Sequence, residues 1–140
     1  MLIENLIMKS VSILIPTIDS GGAEKQAVLL AIMLSKCYAV NLIVLYGEHA
    51  EYKKNVELLS QSNVNVLKLS GSILSKALSV RDVVRVTNTC VLFNYLTMPD
   101  FLGSIIGRSV GIRVYNGIRT SKLPKVKMLI EKLAHNVWAT

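Results

Sequence analysis

Aromatic residues are scarce in this chain, at 6% of 140 positions, and charged residues make up only 18%. There are two cysteines, two histidines and three prolines. Each shortage closes off a class of function. Cys37 and Cys90 stand far apart among apolar neighbours, so they read as buried thiols of a cytoplasmic protein rather than a disulfide framework. His49 and His135 stand alone, and no metal-ligand spacing exists; no metal is expected. Few aromatics and no recognised nucleic-acid motif argue against a nucleic-acid binder. No apolar run is long enough to span a bilayer. Residues 1–9 carry an early acid and no small-residue cleavage site, so they are not a signal peptide, and residues 1–7 are expected to be loosely held. Acids are also few: 9 against 16 lysines and arginines, a net charge of +7 and a pI near 9.6. That balance suits anionic partners or, equally, an ordinary solvated basic face.

Apolar residues are plentiful, at 51%. The length is that of one domain with a sizeable core. Residues 11–15 form a short, β-branched run that suits a strand buried on both faces. Gly21 and Gly22 follow. Ala23, Ala27, Leu30, Ala31 and Leu34 then recur at helical spacing, predicting a helix over 22–36. The same alternation continues. Strands are predicted at 40–46, 64–69, 90–95, 112–115 and 136–139, with 64–69 at a sheet edge because of its polar positions. Helices are predicted at 51–60, at 72–85 with a bend near Ser79, from Pro99 to a close bracketed by Gly107 and Gly111, and around Val126, Leu129, Ile130 and Leu133. Strands alternating with helices imply right-handed crossovers and a doubly wound, Rossmann-like α/β domain with a parallel sheet of about six strands. Ligands of such sheets bind beyond the carboxyl ends of the strands. That edge holds loops 16–24, 47–50, 95–100 and 116–124.

The turn at Gly21-Gly22 is the most informative of these. With no side chains there, an anion can approach the backbone, and the helix N-terminus favours negative charge. The run is neither G-x-G-x-x-G nor a P-loop, so neither dinucleotide binding nor that form of ATP binding is supported. A turn that merely needs a flexible glycine pair explains the same residues. Arg119, on the last of the loops, suits a phosphate contact. Lys122, Lys125, Lys127 and Lys132 precede and decorate an amphipathic segment that suits an anionic membrane surface or plain solvent.

In order along the chain, these segments resemble one family. Ile13-Leu-Ile-Pro-Thr-Ile-Asp-Ser-Gly-Gly-Ala-Glu-Lys-Gln26 is similar to the opening of the family 4 glycosyltransferases, which have the two-domain GT-B fold. Pro99 to Val114, the stretch Gly117-Ile-Arg-Thr-Ser121 and the stretch Ala134-His-Asn-Val-Trp-Ala-Thr140 resemble later segments of the same domain. The resemblance spans residues 8–140.

It implies the acceptor-side, N-terminal domain of an enzyme that moves a sugar from a nucleotide-sugar donor to an acceptor hydroxyl with retention. Gly21 and Gly22 would face the donor diphosphate, with no further cofactor. The donor domain would follow this chain, so residues 1–140 alone are expected to be inactive and to self-associate. Family members often carry a histidine on or after the fourth strand. Here Phe93-Asn-Tyr-Leu-Thr-Met-Pro99 has none, which leaves Asn94, Tyr95 and Thr97 as candidate acceptor-binding groups. Cell-envelope polysaccharide or glycolipid synthesis, at the cytoplasmic face of a membrane, is the setting the resemblance suggests. A stand-alone Rossmann-like module that binds an anion without catalysis remains the alternative.

Overall fold

A computed structural model describes residues 9–116. Strand β1 (Ser10–Ile15) is buried at all six positions, its apolar residues on both faces and its two serines included. Helix α1 (Gly22–Leu34) leads to β2 (Ala39–Val44), helix α2 (Lys53–Ser60) to β3 (Asn65–Lys68), helix α3 (Ile73–Val86) to β4 (Thr89–Asn94), and helix α4 (Thr97–Val110) to β5 (Arg113–Tyr115). The five strands form one sheet in the order β3-β2-β1-β4-β5, every neighbouring pair parallel. This is the doubly wound, Rossmann-like architecture that the alternation predicts, and β3 lies at an edge as its polar positions suggest. The candidate sixth strand and last helix lie outside the described residues. So do Arg119, Lys122, Lys125, Lys127 and Lys132.

Successive side chains of a strand point to opposite faces, so each strand feeds two cores. Val11, Ile13 and Ile15 pack with Val28, Ala31 and Leu34 of α1 and Leu59 of α2. Leu14, Ile43 and Leu92 pack on the other face with Val80 and Val84 of α3 and Leu102 and Ile106 of α4. The chain steps one way from β1 to β3 and the other way from β4 to β5. Right-handed crossovers therefore put α1 and α2 on one face and α3 and α4 on the other.

Several local expectations shift. Helix α3 runs unbroken through Ser79, because Val80 and Val84 anchor it to the sheet and a helical serine costs only a few tenths of a kcal/mol, roughly. Helix α4 begins at Thr97, two positions before Pro99, which occupies the first turn where its missing N–H costs nothing. Gly111 ends that helix in the left-handed conformation at φ 81°, whereas Gly107 lies inside it, where a Cβ would run into the Val114 side chain. Cys37 is exposed on the turn after α1 rather than buried, and Cys90 is intermediate. Among the described residues, no helix is long and apolar enough to cross a membrane.

Candidate functional site

The strand order reverses between β1 and β4. The loops after those two strands diverge, one toward each face, and open a crevice at the carboxyl edge of the sheet. Helix α1 starts on one side of it and α4 on the other.

On the α1 side, the chain from Pro16 to Ser20 is held from below. Ile18 is buried in the α1-face core, its carbonyl accepts from the Tyr52 amide at 2.7 Å, and the Asp19 carbonyl accepts from Asn55 Nδ2 at 2.9 Å. Asn55 is itself buried. These bonds carry the chain to Gly21, which is extended (φ −60°, ψ 156°) and caps α1 without a side chain. The first helical hydrogen bond runs from the Lys25 amide to the Gly21 carbonyl at 3.0 Å, so the amides of residues 22–24 lie ahead of the ladder at the positive end of the helix dipole.

The two glycines are not equivalent. A Cβ at Gly21 would collide with the Glu24 carboxylate, which folds back over the helix start as a third-position glutamate does in a capping box. A Cβ at Gly22 would find nothing within 4 Å, and the φ of Gly22 is not in the left-handed range. Neither internal packing nor backbone conformation requires glycine at position 22. An anion approaching over Gly22 finds open space, whereas one approaching over Gly21 meets the Glu24 carboxylate.

On the β4 side, Leu96 adopts φ 73° and ψ 173°, a region populated almost solely by glycine, and it caps α4 without a side-chain hydrogen bond. It is 37% exposed, so no surrounding core forces it there. The conformation turns the chain sharply from β4 into the first turn of α4 at the crevice. Thr97 follows at the exposed first position of that helix.

The structure thus separates the three candidate acceptor-binding groups. Thr97 lies at the crevice. Tyr95 is buried in the α1-face core at 1% exposure, and burial pushes its hydroxyl well above the ordinary tyrosine range. Asn94 is fully buried on the opposite face. Its Nδ2 donates to Asn116 Oδ1 at 2.7 Å, and Asn116 Nδ2 donates to Ser104 Oγ at 2.7 Å, which ties β4, the end of β5 and α4 together. Asn94 Oδ1 has no hydrogen-bond partner. It presses on the backbone of Gly103, where a Cβ would overlap the amide. Tyr95 and Asn94 therefore hold the crevice walls in place, and Thr97 is the member of the three at the crevice.

Farther along the same edge, the turn after β2 carries Glu48 and His49. The buried Lys76 ammonium of α3 lies 4.4 Å from the Tyr46 ring centroid and 3.6 Å from Glu48 Oε1. A backbone hydrogen bond at Glu48, assisted by Lys76, holds that carboxyl below its usual range. His49 meets Tyr46 edge to face at 5.8 Å between ring centres. This cluster fastens α3 to the β2 turn. Among the described residues, no group of three histidine, cysteine or acidic side chains could hold a metal ion.

Asn55 and Leu96 are residues here whose roles the sequence does not announce, whereas Glu24 is legible as a helix-start acid. Asn55 acts on a loop 36 positions away, and Leu96 is conspicuous only by its dihedral angles. No family model matches the chain, and no curated protein matches it.

Proposed function

We propose that this chain is the acceptor-side domain of a retaining glycosyltransferase acting on a nucleotide-sugar donor. The residues of α1's first turn, Gly21 and Gly22, line the donor-diphosphate side of a cleft whose other wall belongs to a second α/β domain. As the bond between the sugar's anomeric carbon and the phosphate oxygen breaks, negative charge grows on the leaving diphosphate. Backbone amides at a helix N-terminus are suited to receive that charge without reorganisation. The acceptor hydroxyl, supplied from this domain's side, bonds to the anomeric carbon and passes its proton to the departing diphosphate oxygen. Thr97 at the crevice and Arg119 on the 117–124 stretch are the acceptor-side contacts of this reading. The natural setting is polysaccharide or glycolipid assembly on the cytoplasmic face of a membrane, with Lys122, Lys125, Lys127 and Lys132 against anionic lipid.

One observation carries the proposal. Gly22 occupies an ordinary helical position with empty space around it, where alanine would favour the helix. A glycine that the fold does not need, at the mouth of a switch-point crevice, is what close approach of a ligand to the backbone requires. The resemblance of residues 13–26 to the opening of family 4 glycosyltransferases narrows that ligand to a nucleotide-sugar diphosphate.

The test is donor-dependent transfer of radiolabelled sugar, screened over nucleotide sugars, by protein carrying both domains. Transfer that falls at least tenfold in Gly22→Val with little change in thermal midpoint supports the proposal. Nucleotide binding without turnover for any donor moves the chain to the alternative, a non-catalytic anion-binding module. Undiminished transfer by Gly22→Val removes the glycine from the site.

A further inference from the structure

The amino end of the sheet, opposite the crevice, borders a second cavity. Its volume is about 370 Å³, and Lys9, Tyr38, Cys90, Gly111, Ile112 and Arg113 line it. These residues lie where β1, β2, β4 and β5 begin. A space of this size accommodates a small molecule.

Three features of its walls point to a ligand. The first is an irregularity in β4. Ser10 is opposite Thr89 but Val11 is opposite Val91, so Cys90 is one residue too many on its strand. Strict alternation would send Cys90 to the α3 face with Leu92. The bulge instead lets Thr89 bond to Ser12 at 2.7 Å and turns Cys90 to the α1 face, beside Val91. The second is Tyr38, which is 3% exposed and whose Oη is buried with no hydrogen-bond partner among the described residues. A buried phenol ordinarily finds one. This hydroxyl is within electrostatic reach of Cys90, and the cavity that both residues line has room for a partner. The third is charge. Lys9 and Arg113 are exposed at the cavity and have no acidic partner among the described residues, and no acidic side chain lines the space. Burial outweighs the nearby Lys9 ammonium and pushes the Cys90 thiol up, so Cys90 is a neutral wall rather than a nucleophile.

We propose that this cavity binds a small organic oxyanion, a carboxylate or phosphate group carried on an apolar body. Lys9 and Arg113 supply the charge that the oxyanion needs. An oxygen of the ligand accepts from Tyr38 Oη and gives the buried hydroxyl its missing bond. Val91 and Ile112 flank the apolar body. The site lies at the other end of the sheet from Gly22, so it stands whether or not the crevice serves a nucleotide sugar.

Amide chemical shifts of the full 140-residue chain test it. The probes are phenyl phosphate and benzoate, with benzyl alcohol as the uncharged control, at up to about 10 mM and constant ionic strength. Either anion, or both, should move the amides of Lys9, Tyr38, Cys90, Ile112 and Arg113 saturably, and the alcohol should not. Which anion does so tells a phosphate ligand from a carboxylate. Tyr38→Phe should weaken that binding roughly fivefold or more and leave the unliganded thermal midpoint unchanged or raised, because the lost hydroxyl had no partner. Arg113→Gln, a change at an exposed position, should weaken it by at least as much. Shifts confined to the residues around Gly22 would put the anion in the crevice instead. Absent saturation by both anions, equal binding of the alcohol, or unchanged affinity in the two variants would mean that no such site exists. Each of these results overturns the proposal.

Discussion

The two ends of the sheet handle their polar groups differently. At the amino end, on the α3 face, Ser12 Oγ and Thr89 Oγ1 share a hydrogen bond of 2.7 Å, and Asn41 Nδ2 reaches Ser10 Oγ at 3.0 Å and Ser12 Oγ at 3.4 Å. Asn65 donates to Asn41 Oδ1 at 3.2 Å, and Thr87, which donates to the Val83 carbonyl at 2.6 Å, joins Thr89 at 2.9 Å. This ladder crosses β3, β2, β1 and β4 and reaches the last turn of α3. On the other face of that end, Tyr38 Oη is buried without a partner. The carboxyl end has a shorter network, from Asn94 through Asn116 to Ser104, which joins β4, the end of β5 and α4. It holds a leucine in a glycine conformation, an asparagine oxygen without a partner and a glycine that packing does not require. The ladder at the amino end locks the register across four strands, whereas the carboxyl end carries backbone strain at Leu96 next to the crevice.

Substitutions should separate the two ends, and the amino end should lose most. Asn41→Ala removes the centre of the ladder, leaves buried hydroxyls unpaired and opens a void. A loss of about 3 kcal/mol is expected from unmet hydrogen bonds and the cavity together, measured by urea unfolding. Gly103→Ala, against Asn94 at the carboxyl end, drives a methyl into the Asn94 amide and should cost about 2 kcal/mol by overpacking. If it also frees Asn116 from its two partners, exchange of the Asn116 side-chain amide protons will quicken.

At the two loops of the crevice the sign should reverse. Leu96→Gly relieves a strain of about 1–3 kcal/mol against a smaller rise in unfolded-chain entropy, for a net gain near 1 kcal/mol. A destabilised Leu96→Gly would show that the leucine side chain, not the backbone, secures the turn. Gly22→Ala should stabilise by about 0.5 kcal/mol and at the same time weaken nucleotide binding, whereas Gly21→Ala should gain less, because the flexible Glu24 carboxylate must swing away from the helix start. Equal effects at 21 and 22 would erase the distinction drawn between them.

Tyr95 has the smallest effect at neutral pH. Burial raises its hydroxyl pKa in the folded state above the ordinary tyrosine value of 10.0. The fold therefore favours the protonated phenol, a contribution fully present below pH 10 and lost progressively as the unfolded chain's phenol ionises above it. Alkaline loss of stability should be less steep in Tyr95→Phe, the difference between the proteins staying constant below pH 10 and changing above it.

Much of this is legible in the residues themselves. Mostly apolar, β-branched runs in β1, β2 and β4 announce strands covered on both sides, and the polar alternation at 64–69 announces an edge. Gly21-Gly22 announces a helix start at the ligand end. Helix α4 starts earlier than its sequence suggests, because Pro99 is a strong local signal yet proline is equally at home anywhere in a first turn. Asn94, Tyr95 and Thr97 look alike as candidates because they are polar neighbours at a strand end. Their different fates follow from the strand's alternation, which sends Asn94 and Tyr95 into opposite cores, and from the end of the strand, which leaves Thr97 outside.

The alternation of strands and helices, the parallel sheet and the glycine turn at its carboxyl edge are written in the residues, because hydrophobic period and glycine placement act over a few positions. Which polar groups pair, which glycine is required and where the backbone is strained emerge from the folded chain alone. Ser12 meets Thr89 across 77 positions, Gly103 is glycine because Asn94 lies beneath it, and Leu96 is held between a strand in one layer and a helix in another. Such contacts join residues that share no local pattern, so they come into being only when the sheet closes over its two cores.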